Sequence, residues 1–193
     1  LHSRCVEIAK KYGVELLVCS SLNRNSGTMV REKTKMEKML ISGVAADKNV
    51  AKIRVAGLGN DPESTFRLLN LLDRNNLNID VMIQSLGKDG TKSVSFTVAK
   101  PDMLRTIDVL NDNKDSLGIK KLDYDENVAK ISVIGAGVRS HSGVAAKMFG
   151  ALANAGINTE MITTSEIRIT ALIDEAYADQ AMRAIHETFL ERV

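Results

Sequence analysis

The pentapeptide NVAKI occurs twice in this 193-residue chain, at residues 49–53 and again at residues 127–131. The copies continue as RVAGLG and SVIGAG, so that Gly57 is matched by Gly135 at an offset of 78 (135 − 57). Further on, LNIDVMIQS is matched by INTEMITTS at an offset of 80 (157 − 77). A repeat of this length is too long for a solenoid unit and suits a small folded module. The sequence therefore predicts two related modules.

The first repeat shows where its first helix begins and ends. Asp61-Pro62 is typical of a helix start, with Asp61 as the N-cap and proline at the first helical position. We expect Phe66, Leu69 and Leu72 to form the buried face of this helix, because they recur at helical spacing. The pair Asn75-Asn76 then predicts its end.

Strand and turn signals complete the pattern of each repeat. Residues 52–55 alternate polar and apolar side chains, as a half-buried strand does, and Lys88-Asp89-Gly90 is typical of a hairpin turn. With a second helix from Pro101, the order is βαββαβ, which packs two helices on one face of a four-stranded antiparallel sheet. We predict an α+β fold of two tandem ferredoxin-like modules.

The second repeat ends without a fourth strand, which would leave unpaired backbone groups at a sheet edge. Residues 14–18 and 39–45 both resemble strands, and we expect them to complete one or both sheets. The alternating charges of residues 28–38 indicate a connector that faces the solvent. The predicted divisions are an N-terminal segment 1–48, a first module 49–126 and a second module 127–193.

Composition and charge restrict the classes of partner. The formal net charge is +2, with 26 Lys and Arg against 24 Asp and Glu, so a nucleic-acid partner is not expected. No apolar run approaches the length of about 20 residues that a membrane-spanning helix needs, so a membrane partner is not expected either. Cys5 and Cys19 form no CxxC pair, and both thiols are interpreted as structural residues of a protein in the reducing cytoplasm.

Catalytic and metal-binding motifs are missing from the sequence. The chain has three histidines, His2, His141 and His186, and it contains no HExxH, EF-hand or P-loop pattern. The glycines that follow each repeated strand lack the third glycine of a dinucleotide-binding fingerprint. We therefore predict no catalytic residue, no metal site and no bound cofactor in this chain.

The two predicted helix starts are the best candidates for a ligand site. A helix N-terminus offers free N–H groups and a positive dipole end, which suit a carboxylate. Carboxylate and amide side chains on the following strand could hold an ammonium group, so that the pair of features would suit a free amino acid. The alternative is that Asp61 and Ser140 only cap helices, and that Asn78 and Asn158 only turn the chain.

Residues 128–173 resemble the second ACT module of aspartate kinases, through the motif SHSG (140–143) and the motif TSEI (164–167). The opening residues 1–30 resemble the segment that joins the kinase domain to such modules. The first repeat departs from the family at residues 60–63, where the sequence NDPE stands in place of the family's D-x-P-G.

This resemblance implies a regulatory function. In the family, paired ACT modules bind lysine, threonine or both where a first module faces a second module of another chain, so a homodimer, free amino acids and a catalytic kinase domain or subunit are the implied partners. ATP and magnesium would belong to that kinase domain, since no K-F-G-G loop occurs here. The chain would be a small regulatory subunit or a piece of a longer enzyme. The residues matching the family's effector contacts are Asn60, Asp61, Pro62, Thr65, Asp80 and Gln84 in the first repeat, and Ser140, His141, Gly143, Asn158, Thr159 and Glu160 in the second.

Two other classes of function share this order of strands and helices. A small acyl-phosphate hydrolase would need an arginine beside an anion loop, for which Arg139 next to Ser140 is the candidate. An RNA-binding sheet would need exposed aromatic side chains on its central strands, for which the sequence offers Phe96.

Overall fold

The computed structural model describes residues 2–22, 27–30, 41–135, 138 and 143–190. The chain divides into two compact units, Leu1–Lys38 and Met39–Val193. In the N-terminal unit, helix α1 (Ser3–Lys11) is followed by strands β1 (Leu16–Val18) and β2 (Thr28–Val30). These two strands form an antiparallel pair, with Leu17 opposite Met29.

The prediction that residues 14–18 complete one of the repeat sheets is wrong, because β1 pairs with β2 in a separate two-stranded sheet. A partner nearby in sequence costs less loop-closure entropy than a distant strand does. The interpretation of residues 28–38 as a connector is also wrong for Thr28–Val30, which form β2. Residues 31–38 lie outside the described part of the chain.

The second unit is built on one six-stranded antiparallel sheet in the order β4-β5-β3-β6-β8-β7. Its elements in chain order are β3 (Gly43–Leu58), α2 (Pro62–Arg74), β4 (Met82–Leu86), β5 (Lys92–Ala99), a 3₁₀ turn (Lys100–Asp102), α3 (Met103–Asp112), α4 (Lys114–Leu117), β6 (Lys121–Ile134), α5 (Gly143–Asn154), β7 (Met161–Thr164), β8 (Arg168–Asp174), a 3₁₀ turn (Glu175–Tyr177) and α6 (Ala178–Leu190). The predicted ferredoxin-like α+β order is confirmed for both repeats.

The two long strands β3 and β6 serve both repeats at once. The second half of β3 is the first strand of the first repeat, and its first half, Gly43–Asp47, lies opposite residues 134–130 of β6. This upstream half supplies the fourth strand of the second repeat, which confirms the prediction for residues 43–45; residues 39 and 40 lie outside the described part of the chain. In the same way, β6 supplies the fourth strand of the first repeat, with Leu122 opposite Val55. The proposed divisions at 48/49 and 126/127 stay predictions, and both fall inside these shared strands.

Each repeat packs its two helices on the same face of its half-sheet. Alternate strand residues, such as Ile53 and Phe96 in the first repeat and Ile131 in the second, point into a core against those helices and are fully buried. Lys52, which lies between the core-facing residues Ala51 and Ile53, therefore points to the opposite face of the sheet. That opposite face carries the polar interactions described below.

The buried face of α2 differs from the prediction. Leu68 and Leu72 are buried, and so is Ser64, whereas the Phe66 side chain is 65% exposed. Residues four apart in a helix share one face and residues two apart do not, so the stripe through 64, 68 and 72 turns Phe66 outward. Asp61 is the N-cap and Asn75 the C-cap of this helix, as predicted.

Candidate functional site

The start of helix α2 is held by the Asp61 side chain. The Asp61 carboxylate accepts a hydrogen bond from the Ser64 amide at 2.9 Å, and a second one from the Ser64 hydroxyl. The Arg67 guanidinium lies 3.6 Å from the same carboxylate. The Ser64 hydroxyl, more than any other group, lowers the pKa of Asp61 from its usual value. The carboxyl group is therefore an anion that already caps the helix.

Helix α2 and edge strand β4 meet through a pair of predicted site residues. The Thr65 hydroxyl donates to the Gln84 amide oxygen at 2.7 Å, and the Lys92 ammonium donates to the Asp61 backbone carbonyl at 2.7 Å. Within the described residues, no protein group accepts a hydrogen bond from the Gln84 NH₂ group, which leaves a donor at the surface. The structure thus brings together Asn60, Asp61, Pro62, Thr65 and Gln84, and we call these residues the helix-start patch.

Asp80 belongs to a different part of the first repeat. Its amide donates to the Thr97 carbonyl at 3.1 Å, at the opposite end of β5 from Lys92. The step of five positions from Lys92 to Thr97 spans about 17 Å of strand. A free amino acid as long as lysine measures less than about 10 Å from end to end, judging from covalent bond lengths. Gln84, the strand residue of the helix-start patch, lies opposite Val94, which is only three positions or about 10 Å from Thr97. A ligand at Asp80 can therefore reach Gln84 but not the Lys92 end of the patch.

In the second repeat, Gly143 is the first residue of α5, while the predicted site residues Ser140 and His141 lie outside the described residues. Asn158 and Thr159 line an open cleft of about 350 Å³. The same cleft is lined by apolar side chains from the end of α5, including Phe149 and Leu152. Asn158 and Thr159 lie just before edge strand β7.

Asp80 and Glu160 each contact a lysine of the other repeat. The Lys130 ammonium donates to the Asp80 carboxylate and lies 3.2 Å from the Asp47 carboxylate. The Lys52 ammonium donates to the Glu160 carboxylate. We call these contacts the crossed pairs. Asp80, Asp47 and Lys130 also line a cleft of about 300 Å³.

Comparison with known proteins identifies the family. Residues 131–189 match the family model described as the ACT domain. The crystal structure of aspartokinase alpha and beta subunits includes a chain that is 42% identical to this one, with a TM-score of 0.73, and the match covers 77% of this chain and 98% of that one. The chain belongs to the aspartokinase family.

Other members locate it within the family. The regulatory subunit of aspartate kinase from Thermus thermophilus is 33% identical, with a TM-score of 0.73, over 78% of this chain and 99% of that subunit. The aspartokinase of Pseudomonas aeruginosa is 38% identical over 192 residues, which is 98% of this chain and 47% of the relative. The chain thus spans just under half the length of that curated relative, and it corresponds to an aspartokinase regulatory part.

Sequence reasoning missed three lysines of this aspartokinase chain: Lys52, Lys92 and Lys130. A signal for two of them was present, because Lys52 and Lys130 are the fourth residue of the two NVAKI copies. On a half-buried strand, a lysine repeated at one position indicates a partner on the polar face. No comparable signal marks Lys92, whose contact depends on the fold of the Asp61 loop.

Two alternative functions can be compared with this geometry. Phe96, the aromatic residue that an RNA-binding sheet would expose, is fully buried in the core, so it cannot stack on a base. Arg139 and Ser140, the candidates for an acyl-phosphate hydrolase, lie outside the described residues.

Among the residues that are described, no three His, Cys, Asp or Glu side chains are arranged to hold a metal ion. Likewise, none of the described helices is both long and apolar enough to cross a bilayer.

Proposed function

We propose that this chain is the allosteric, amino-acid-binding regulatory part of an aspartokinase. In this proposal it binds lysine, threonine or both between ACT modules, and it transmits their presence to the catalytic kinase domain or subunit as feedback inhibition. The protein acts in the cytoplasm as a homodimer. The kinase part, and not this chain, carries ATP, magnesium and the phosphorylation of aspartate.

The observation that carries the proposal is the helix-start patch. It combines a helix N-terminus, which attracts a carboxylate, with a Gln84 amide that Thr65 orients. The Asp61 carboxylate caps this helix and is 45% exposed, so its negative charge also favours an ammonium group nearby. An α-amino acid carries the two charges that such a patch recognises.

The positions of the predicted site residues support a dimer, if the helix-start patch of the first repeat is one half-site and the loop of Asn158 and Thr159 in the second repeat is the other. Gln84 lies on β4 and Asn158 precedes β7, and these strands are the two edges of the sheet. Five strand spacings separate the edges, or about 24 Å, which is longer than any free amino acid. One ligand can therefore contact both half-sites only if they come from two chains, so effector binding and association are linked. A ligand at such a boundary shifts the population of its arrangements when its affinity differs between them.

Calorimetric titration of the 193-residue chain with L-lysine, L-threonine, L-methionine and L-isoleucine tests the proposal. We expect binding of lysine, threonine or both, and a loss of about tenfold in affinity for Gln84→Ala, since truncation removes a hydrogen bond to a charged group. Asn111→Ala, which truncates an exposed amide on α3, is the matched control and should bind as the parent does. Absence of heat with all four amino acids, in a folded dimer, would refute the proposal.

A further inference from the structure

The crossed pairs are two copies of one interaction, exchanged between the repeats. Lys52 is matched by Lys130 at an offset of 78 (130 − 52), and Asp80 by Glu160 at an offset of 80 (160 − 80), which are the offsets of the duplication itself. Each lysine lies in one repeat and its carboxylate in the other. The pairs therefore depend on how the two repeats are placed against each other.

The crossed pairs adjoin a small apolar cluster that the repeats share. This inter-repeat cluster consists of Val50, Val81, Val128, Met161 and Leu172. Asp80 and Glu160 immediately precede Val81 and Met161, while Lys52 and Lys130 follow Val50 and Val128 by two positions. Val50 and Val128 lie opposite each other where β3 and β6 pass from one repeat to the other. Each ion pair thus lies within two residues of the packing between repeats.

Each lysine also lies across from a second carboxylate. Asp47 is the cross-strand neighbour of Lys130, with its carboxylate 3.2 Å from the ammonium. Asp125, which matches Asp47 at the same offset of 78 (125 − 47), is the cross-strand neighbour of Lys52. A lysine released from Asp80 or Glu160 therefore has another carboxylate beside it.

We propose that Lys52 and Lys130 are internal competitors for the effector site, and that an effector ammonium reaches Glu160 or Asp80 only by displacing the lysine, which leaves Lys130 on Asp47 alone and moves Lys52 to Asp125. This inference rests on the proposed function, which includes Asp80 and Glu160 among the effector contacts. The exchange conserves charge, because one ammonium replaces another on the same carboxylate.

Such an exchange couples binding to the contact between repeats. The displaced lysine belongs to the other repeat, so occupation of one carboxylate removes one of the two crossed pairs. Displacement of the second lysine then disrupts a contact between the repeats that is already weaker. Binding at one carboxylate therefore favours binding at the other carboxylate of the same chain, which is positive coupling. The coupling needs no movement of the helices and depends on the four charged side chains and their two aspartate neighbours.

Calorimetric titration of side-chain variants with L-lysine and L-threonine tests the inference. Lys130→Met removes the competitor from Asp80, and we expect binding about two- to fivefold tighter, which is the range expected for a partly exposed ion pair. Lys52→Met tests the same effect at Glu160. Lys130→Arg keeps a cation and should bind as the parent does. The matched control is Lys100→Met, because the Lys100–Glu175 pair at 3.0 Å also joins the repeats but involves no predicted effector contact.

A double-mutant cycle distinguishes competition from simple structural support. Asp47→Asn removes the second position of Lys130, so it should weaken effector binding in the parent chain and have no effect in the Lys130→Met background. An unchanged or weaker affinity of both lysine variants, in a parent that binds its effector, would overturn this inference and leave the proposed function intact. Absence of binding in the parent and in both variants would overturn both. Binding that appears only in the lysine variants would support the competition.

Discussion

Helices α2 and α5 occupy the same place in the two repeats and differ in composition. The sequence of α2 is PESTFRLLNLLDR, with charged residues on its outer face, whereas α5 is GVAAKMFGALAN and consists mainly of small and apolar residues. Both bury equivalent positions: Leu68 corresponds to Met148 at the offset of 80, and both are fully buried. The comparison shows that the duplication kept the core positions of this helix while its outer surface diverged.

The crossed pairs show the same divergence at a polar position. The Lys130 side chain is 12% exposed and contacts two carboxylates, while the Lys52 side chain is 25% exposed and contacts Glu160. The second repeat thus supplies the more buried lysine and the first repeat supplies the more exposed one. The two crossed pairs should therefore respond unequally when their lysines are replaced by the same residue.

The largest expected effect tests whether the repeats share one fold. Leu68→Ala and Met148→Ala should each lower the free energy of unfolding by about 3 kcal/mol, because each removes a fully buried side chain and leaves a cavity. Residues 39–193 should still unfold in one transition, since β3 and β6 belong to both repeats. Urea denaturation followed by circular dichroism measures both quantities.

Leu104→Ala is the control for these core substitutions. Leu104 lies on α3 and is 67% exposed, so its truncation should change the free energy of unfolding by less than about 0.5 kcal/mol. If either core variant produced two separate transitions for residues 39–193, the repeats would be independent domains, and the shared strands would not couple them.

A smaller effect is expected for the two lysines. Lys130→Met should cost about 1.5 kcal/mol of unfolding free energy and Lys52→Met about 0.5 kcal/mol, because the first leaves two carboxylates without their cation and the second leaves one. Asp80 and Asp47 are about half exposed, so both stay hydrated in the variant. The same denaturation experiment gives both values. Equal costs would show that the difference in exposure has no energetic consequence.

The order of strands and helices in the two repeats could be predicted well, because the duplication shows each pattern twice. Helix boundaries such as Asp61 and Asn75 follow from capping chemistry, which acts within a few residues. The partner of Leu16–Val18 could not be predicted, since strand pairing depends on contacts between distant segments. The prediction that Phe66 is buried was wrong because residues 66, 69 and 72 keep a helical spacing of three, whereas the buried stripe runs through residues 64, 68 and 72. Of the predicted face, Leu72 belongs to both stripes and is buried.

The same difference between local and distant contacts decides which parts of the candidate site could be predicted from the sequence. The residues of the helix-start patch are close in sequence, apart from Gln84, and the structure brings them together. The partners of Asp80 and Glu160 lie 50 and 108 residues away. Such contacts follow from the antiparallel crossing of β3 and β6, which no local pattern encodes. The repeated lysine of NVAKI was a signal that a partner exists, but it did not indicate which carboxylate.

The smallest expected effect compares two carboxyl groups, one in each repeat, whose pKa is lowered for different reasons. The pKa of Asp61 is lowered chiefly by the Ser64 hydroxyl, which is a neutral donor, and that of Asp179 chiefly by the Lys48 ammonium at 2.9 Å. Salt screens charges and acts little on neutral hydrogen bonds. Titration followed by NMR of the carboxyl carbons, in low salt and in about 1 M salt, where the screening length falls to about 3 Å, should therefore raise the pKa of Asp179 more than that of Asp61.

The sign of the linked stability follows from the direction of these shifts. A carboxyl group whose pKa falls on folding stabilises the folded chain fully above its unfolded pKa, which is about 3.9, and loses that contribution as the pH falls through the folded value. The acid-side loss of stability in Asp61→Asn should thus be shallower than in the parent at both salt concentrations. In Asp179→Asn it should be shallower chiefly in low salt. An equal response of the two groups to salt would mean that Arg67, and not Ser64, dominates the environment of Asp61.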